Sequence, residues 1–244
     1  MAQKFSSGLL KIIMLLFIPM LMGSCNQQMF YPHIKGSGII VSENRNIDNY
    51  ASIDLRMQGN VKISADDRFG VQVSADDNII NEINTFTRNG TLIISGNKNF
   101  RNATVDIHVS LPYAEKISVN GSGGIVVGDL LQGEEMHFRV GGSGSITAAV
   151  NAEKIYSTIA GSGSLNLSGK AYLQNIQVSG SGNINSYKLN TSESHVKING
   201  SGNSYISVEE SLGVKINGSG SVYYKGNPQT DLVTRGSGKV IHTD

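Results

Sequence analysis

The tripeptide Gly-Ser-Gly occurs seven times in the second half of this 244-residue chain, at a nearly constant interval. This interval of 18 to 21 residues is too short for an independent domain and too long for a β-hairpin, so it predicts one turn of a solenoid. Glycine adopts positive φ without strain, and its lack of a Cβ lets neighbouring turns approach closely, so each copy is predicted to form a sharp corner. The corners begin at Gly121, Gly142, Gly161, Gly180, Gly200, Gly218 and Gly236.

Apolar residues hold fixed positions relative to each corner. The positions four before, two before and four after the first glycine are each apolar in six of the seven copies, and the intervening positions are mostly polar. Alternation with a period of two places one side of a strand on a core. These columns can be buried only if consecutive turns stack, which predicts an all-β fold, a single-stranded parallel β-helix. The column two residues before the corner contains Val119, Val140, Ile159, Val178, Ile198, Ile216 and Thr234.

The repeats are regular over residues 111–244 and irregular over residues 36–110. Within the irregular part, short stretches of alternating apolar residues predict strands, and Asn89-Gly90 predicts a tight turn. The segment from Asp76 to Phe86 has helical spacing with an aspartate placed to cap it, so we expect at most one short helix there.

The first 24 residues have the order of a secretory signal peptide. Lys4 and Lys11 precede an apolar run that is too short to cross a membrane comfortably and that ends in small residues. Leu21-Met22-Gly23-Ser24-Cys25 resembles the bacterial lipobox, whose cysteine becomes the acylated N-terminus of a lipoprotein. We therefore predict a lipid anchor on Cys25, which is the only cysteine, and a tether over residues 25–35. The alternative is an ordinary signal peptide followed by a chance cysteine.

Composition argues against several classes of function. A net charge of +1 gives no basic surface for nucleic acid. The five histidines lack metal-ligand spacing, and the glycine motif lacks the aspartate of calcium-binding repeats, so neither a metal nor a cofactor is expected. No Asp or Glu occurs between Lys154 and Ser192, and the remaining acids share no repeat position. We therefore expect no catalytic residues, and we interpret the acidic clusters Glu134-Glu135 with His137 and Glu209-Glu210 as solvated charge.

Two outward positions are candidates for ligand contact. Lys197 and Lys215 stand three residues before consecutive corners, where they can be solvated charges or a site for an anionic glycan or a lipid A phosphate. Tyr205 and Tyr223 stand five residues after consecutive corners, with Tyr187 nearby. These tyrosines can form a platform for sugar stacking, or they can reflect only the high β-propensity of tyrosine.

Several motifs together resemble one known family. They are Gly59-Asn60-Val61-Lys62-Ile63, Val71-Gln72-Val73-Ser74-Ala75-Asp76, Asn89-Gly90-Thr91-Leu92 and Ile117-Ser118-Val119-Asn120-Gly121-Ser122-Gly123. The chain resembles the putative auto-transporter adhesin head domain, or GIN domain, from Gly36 to Thr243. This resemblance implies a β-helical fold and a surface-associated role, and it brings no catalytic residues. The family is common in lipoproteins of Bacteroidota, whose surface-exported members often carry acidic residues after the cysteine. Because Asn26-Gln27-Gln28 follows Cys25, we expect the periplasmic side of the outer membrane.

These observations favour a non-enzymatic, lipid-anchored protein of the cell envelope, whose flat solenoid face serves adhesion, scaffolding or binding. Its expected partners are the membrane, through the lipid anchor, and a glycan or an envelope protein. The alternatives are a polysaccharide-active enzyme and a protein partner in envelope signalling. The last corner lies six residues from Asp244, so its turn is expected to leave a strand edge unpaired, which favours a homo-oligomer.

Overall fold

The computed structural model describes residues 33–244, which form one compact unit. The predicted signal peptide, the lipidation site Cys25 and most of the predicted tether lie outside these residues. The last three residues of that tether, His33–Lys35, form a short strand rather than free chain, because they pair in parallel with Asn99–Arg101. Within the described residues, no helix is long and apolar enough to cross a membrane.

The described chain consists almost entirely of strands. The strands of the N-terminal part are β1 (His33–Lys35), β2 (Ile40–Arg45), β3 (Ser52–Leu55), β4 (Asn60–Ala65), β5 (Gly70–Asp76), β6 (Ile83–Arg88), β7 (Thr91–Gly96), β8 (Asn99–Arg101) and β9 (Val105–Leu111). Those of the regular part are β10 (Lys116–Val119), β11 (Gly124–Val140), β12 (Ser145–Ile159), β13 (Ser164–Gly180), β14 (Asn183–Gly200), β15 (Ser204–Gly218), β16 (Val222–Lys225), β17 (Gln229–Arg235) and β18 (Val240–His242).

The regular part is a parallel β-solenoid, as predicted. Val178 pairs with Ile198 across β13 and β14, and Ile198 pairs with Ile216 across β14 and β15. All three side chains are fully buried. Removing a side chain of this size from water contributes about 1.5 to 3 kcal/mol, so each turn is stabilised by the apolar column that its neighbours complete.

The last turn departs from this pattern. Leu232 pairs with Val214 in the predicted register, yet its side chain is 45% exposed, and the other residues of β17 are exposed as well. The reason is that β17 pairs only with β15, and no described strand lies on its other side. An apolar column therefore ends in an exposed residue. Self-association through this edge stays a prediction.

The Gly-Ser-Gly corners stack through backbone hydrogen bonds. The carbonyl oxygen of Gly180 accepts the N–H groups of Ser201 (2.9 Å) and Gly202 (3.1 Å) in the next turn. A Cβ on Gly180 would lie 2.5 Å from the carbonyl oxygen of Gly161, and the residue also has a φ of +129°. The first glycine has a φ above +100° at the last four corners, whereas at the first three the close approach alone excludes a side chain.

Variation in turn length is absorbed opposite the corners. The turn that begins at Gly121 is two residues longer than the next one, and the extra residues lie where the pairing of β11 with β12 shifts between Val126 and Leu130. Similar shifts occur in β14, between Ser186 and Asn190. The corners themselves stay in register, so the face that leads into them is continuous from turn to turn.

The N-terminal part is stacked out of chain order. Strand β3 lies between β7 and β10, and β4 lies between β9 and β11, all in parallel. Strands β5 and β6 then pair antiparallel with β9 and β7. These antiparallel strands cover the edges that the solenoid would otherwise expose at this end.

The segment from Asp76 to Phe86, for which the sequence predicts at most one short helix, contains no α-helix. Ile80–Glu82 forms one 3₁₀ turn, and Ile83–Arg88 continues as β6, which the Asn89-Gly90 turn joins to β7. The sequence pattern of a short apolar segment often fits both a helix and a strand. Here the segment forms a strand because it pairs with β7 in a hairpin. Asp76 does not cap a helix. Its carboxylate instead accepts the backbone N–H groups of Gly38 (2.6 Å) and Thr104 (2.8 Å).

These two hydrogen bonds hold the pKa of Asp76 below its ordinary value. A lowered pKa in the folded state contributes stability that is present above the unfolded pKa of about 3.9 and is lost as the pH falls through the folded value. We therefore expect Asp76→Asn to unfold at a lower temperature than the wild type at pH 7, with the difference shrinking below about pH 4. Thermal unfolding from pH 7 to pH 2 measures this, and an unchanged difference across that range would contradict it.

Candidate functional site

The strand segments that lead into the corners form one outward face, here called the lysine face. Phe138 and Val140 of β11 point into the core, so their neighbours His137 and Arg139 point outward, and the same alternation recurs in each turn. One outward column contains Lys116, His137, Tyr156, Asn175, His195, Gly213 and Asp231. The other contains Ser118, Arg139, Thr158, Gln177, Lys197, Lys215 and Val233.

Lys197 and Lys215 are direct partners on β14 and β15, and both are exposed. Neither forms an ion pair with a carboxylate of residues 33–244. Two cations at this spacing in water repel by only about 1 kcal/mol, so stacking them is tolerable. The pair is therefore free to bind an anionic group, although nothing about its position requires one.

A groove of about 460 Å³ runs beside the two lysines. It is lined by Gly213, which stands between His195 and Asp231 in the column and contributes no side chain. A Cβ on Gly213 would lie 2.9 Å from Nδ1 of His195, so a larger residue would fill this space. The sequence prediction missed this groove because only one of the two outward columns was counted. The second column, five residues before each corner, contains Asn175, His195 and Asp231.

The groove offers polar contacts rather than an acid–base pair. In the part of the chain that the structure describes, Asp231 is the only carboxylate that lines it, and the other polar side chains are neutral or cationic. Glycoside hydrolysis commonly uses two carboxyl groups that flank the bond. Among residues 33–244, no cluster of three or more His, Cys, Asp or Glu side chains is arranged to hold a metal ion. The arrangement is therefore suited to binding a ligand that presents hydroxyl and anionic groups.

The three tyrosines lie together on the neighbouring face, beyond the corners. The rings of Tyr205 and Tyr223 stack in parallel with centroids 4.9 Å apart, and Tyr187 meets Tyr205 edge-on at 5.5 Å. Nζ of Lys225 lies 5.5 Å from the centroid of the Tyr187 ring. The rings therefore cover part of one another's faces, and the hydroxyl group of Tyr187 is hydrogen-bonded to Oγ1 of Thr243 (3.1 Å), so much of their surface is already in contact with the protein. Sugar contact by these residues stays a prediction.

The first acidic cluster has a local partner, and the second is exposed. Oε1 of Glu135 lies 2.8 Å from Nε2 of His137, and the His137 ring stacks on Tyr156 with centroids 4.7 Å apart. Glu209 and Glu210 are exposed at the bend of β15. That either cluster is only solvated charge stays a prediction.

Stacked turns, uniform corners and a continuous polar face define a parallel β-solenoid protein of the repeat class. Within that class, the chain belongs to the family described as "Putative auto-transporter adhesin, head GIN domain", which matches residues 49–228. No curated protein matches the chain.

Solved structures share the fold. A putative adhesin from Bacteroides fragilis superposes with a TM-score of 0.82 at 24% identity, covering 86% of this chain and 100% of its own. A putative lipid binding protein from Parabacteroides distasonis gives a TM-score of 0.74 at 21% identity, covering 87% and 100%. A putative adhesin from Parabacteroides merdae gives 0.67 at 19% identity, covering 87% and 99%. At these identities the likeness establishes the fold alone.

Proposed function

We propose that this protein is a lipid-anchored component of the cell envelope that binds its partner, without catalysis, through the lysine face. The observation that carries the proposal is the groove at Gly213, flanked by two stacked lysines that form no ion pair within the described residues. The family and two structural neighbours are all described as putative adhesins, which supports an adhesion-type role and an association with the cell envelope. One neighbour is described as lipid binding, which is compatible with an anionic or amphiphilic ligand.

An acidic glycan fits this face best. Lys197 and Lys215 would pair with its anionic groups, and Asn175, His195 and Asp231 would exchange hydrogen bonds with its hydroxyl groups. An extended ligand can follow the columns, because equivalent positions recur about every 4.8 Å along the stacked strands. An envelope protein with an acidic surface is the other candidate.

We expect the double variant Lys197→Gln/Lys215→Gln to bind acidic glycans at least about tenfold more weakly, because two charge-assisted contacts are lost. Binding is measured on a glycan array and then by calorimetry with the strongest ligand. Lys170→Gln/Lys188→Gln removes the same charge from exposed positions at the opposite bend and serves as the control. Equal losses in the two double variants would indicate a non-specific effect of charge and would refute the site. Absence of any ligand for the wild type would remove the adhesive role.

The proposed anchor makes a separate prediction. Two or three acyl chains hold a protein stably on a membrane, since each buried CH₂ contributes about 0.8 kcal/mol. We expect Cys25→Ser to move the protein from the membrane fraction to the soluble fraction of cells, and mass spectrometry of the wild type to find acyl groups on Cys25. Membrane association that is unchanged in Cys25→Ser would contradict the anchor. Protease added to intact cells then tests the proposed periplasmic orientation, in which the chain stays protected.

A further inference from the structure

A second cavity, of about 310 Å³, lies at the N-terminal end of the lysine face and collects basic side chains from distant parts of the chain. Arg56 follows β3, Arg88 ends β6, Lys116 begins β10 and Arg139 lies in β11. From the described residues, only one carboxylate, that of Asp54, lines the same cavity. In a chain with a net charge of +1, this is a local concentration of positive charge.

The out-of-order stacking of the N-terminal strands brings these residues together. The carbonyl oxygen of Gly90, in the turn between β6 and β7, accepts the N–H groups of Ala51 (3.0 Å) and Ser52 (3.1 Å). This fixes the tip of the hairpin, and with it Arg88, against the start of β3. Strand β10 lies on the other side of β3 and β11 lies beyond it, so Lys116 and Arg139 approach the cavity from the opposite side.

Both oxygens of the Asp54 carboxylate already accept hydrogen bonds from the protein. Asp54 is 8% exposed, and its Oδ2 accepts Nε of Arg56 at 2.7 Å while its Oδ1 accepts Nδ2 of Asn120 at 2.7 Å. The ion pair positions Arg56 and leaves its two terminal nitrogens without a described side-chain partner. Arg88, Lys116 and Arg139 form no ion pair and no side-chain hydrogen bond within residues 33–244.

We propose that this cavity binds the phosphate monoester group of a larger molecule, such as a sugar phosphate or a phosphorylated lipid headgroup. Three uncompensated cations favour a dianion, and a phosphate monoester carries a charge of about −1.5 to −2 at pH 7, whereas a carboxylate carries only −1. Arginine pairs with phosphate through two parallel hydrogen bonds, which gives the geometry as well as the charge. The volume falls at the lower end of small-molecule sites and leaves room for part of the group that bears the phosphate.

This site goes beyond the proposed function and stands apart from the groove at Gly213. The groove is lined by residues 156–233 and the cavity by residues 53–139. Each can therefore be removed while the other is kept. Loss of glycan binding in Lys197→Gln/Lys215→Gln says nothing about the cavity, and the reverse also holds.

The test uses the full chain with Cys25→Ser, so that an acyl anchor cannot account for vesicle binding. Calorimetry is run with glucose 6-phosphate, inorganic phosphate, glucuronate and glucose, and flotation with phosphatidylcholine vesicles with and without phosphatidic acid. We expect saturable binding of a phosphate-bearing probe, with Lys116→Gln/Arg139→Gln weakening it at least about tenfold. Lys170→Gln/Lys188→Gln, which removes the same charge from exposed positions outside both sites, is the matched control and should bind as the unsubstituted chain does. Preference for glucose 6-phosphate identifies a saccharide source, and preference for phosphatidic acid identifies a lipid source.

Three results would overturn the proposal. They are an absence of saturable binding to every phosphate-bearing probe, an equal loss of affinity in the control variant, and binding of glucuronate as tight as that of glucose 6-phosphate in a chain whose lysine face is disabled by Lys197→Gln/Lys215→Gln. If Lys116→Gln/Arg139→Gln unfolds at a lower temperature than the parent, Arg88→Gln replaces it, because Arg88 is exposed at the end of a hairpin strand. That single variant should weaken phosphate binding severalfold, and unchanged affinity in it would also refute the site.

Discussion

Replacing Gly180 with valine is expected to lower the free energy of unfolding by about 3 to 5 kcal/mol. Two effects add at this residue. Its φ of +129° belongs to a region that residues with a side chain rarely adopt, and its Cβ would lie 2.5 Å from the carbonyl oxygen of Gly161. The same carbonyl accepts the N–H groups of Ser181 and Gly182. Moving it would therefore break the hydrogen bonds that join this corner to the next.

Urea unfolding followed by circular dichroism measures this loss. Gly133→Ala is the control, because Gly133 lies in a strand with an ordinary φ and its Cβ would come no closer than 3.6 Å, to Cγ of Met136. That substitution should change stability by less than about 0.5 kcal/mol. A small effect of Gly180→Val, close to that of the control, would mean that the corners are not packed as described.

The second large effect is expected in the apolar column. Ile198 is fully buried, and it lies between Val178 and Ile216 in the neighbouring turns. Truncation to alanine removes apolar area and leaves a cavity that the flanking strands cannot close, which costs about 2 to 5 kcal/mol.

Its control is Val126→Ala, an apolar truncation on the outward side of β11, where the side chain is 52% exposed. Little apolar area is buried there, so stability should change by less than about 0.5 kcal/mol. If Ile198→Ala and Val126→Ala lowered the free energy of unfolding equally in urea, the assignment of Ile198 to the core and Val126 to the surface would be contradicted.

The regular half of the fold was predictable because the repeated Gly-Ser-Gly corners show how neighbouring turns align. Once the corners are matched, the residues that lead into each corner acquire partners in the next turn, and the pairs Val178–Ile198 and Ile198–Ile216 follow directly. The N-terminal half offers no such alignment. Nothing in residues 52–65 indicates that they lie between residues 91–111 and 116–127, because that order depends on tertiary pairing rather than on local pattern.

Polar residues inside the solenoid were harder to interpret than those outside. Ser157 breaks an otherwise apolar column, and the structure explains it by Gln174, which is fully buried and donates from Nε2 to Ser157 (3.3 Å) and Ser186 (3.0 Å). Gln174 occupies an inward position opposite Ile155. Because these residues are far apart in sequence, their hydrogen bonds become visible only when the turns are stacked.

The candidate binding residues also fall into a group that the sequence predicts and a group that it does not. The adjacency of Lys197 and Lys215 follows from their common distance to a corner, and so does that of Tyr205 and Tyr223. The basic cavity was not predictable, because Arg88 reaches it through the hairpin that Gly90 fixes against β3. Contacts within the repeat could thus be derived from spacing, and contacts with the N-terminal strands could not.

The stacking of equivalent positions, on which the binding face depends, is tested most directly by disulfide formation. In the Cys25→Ser background, Lys197→Cys/Lys215→Cys places thiols on paired residues about 4.8 Å apart between Cα atoms, within the range that a disulfide spans. Gln177→Cys/Lys215→Cys places them two turns apart, at about 10 Å, which is too far. Titration of free thiols after mild oxidation of the monomer should show a closed disulfide in the first variant and two free thiols in the second. Free thiols in the first variant, or equal closure in both, would contradict the stacked face.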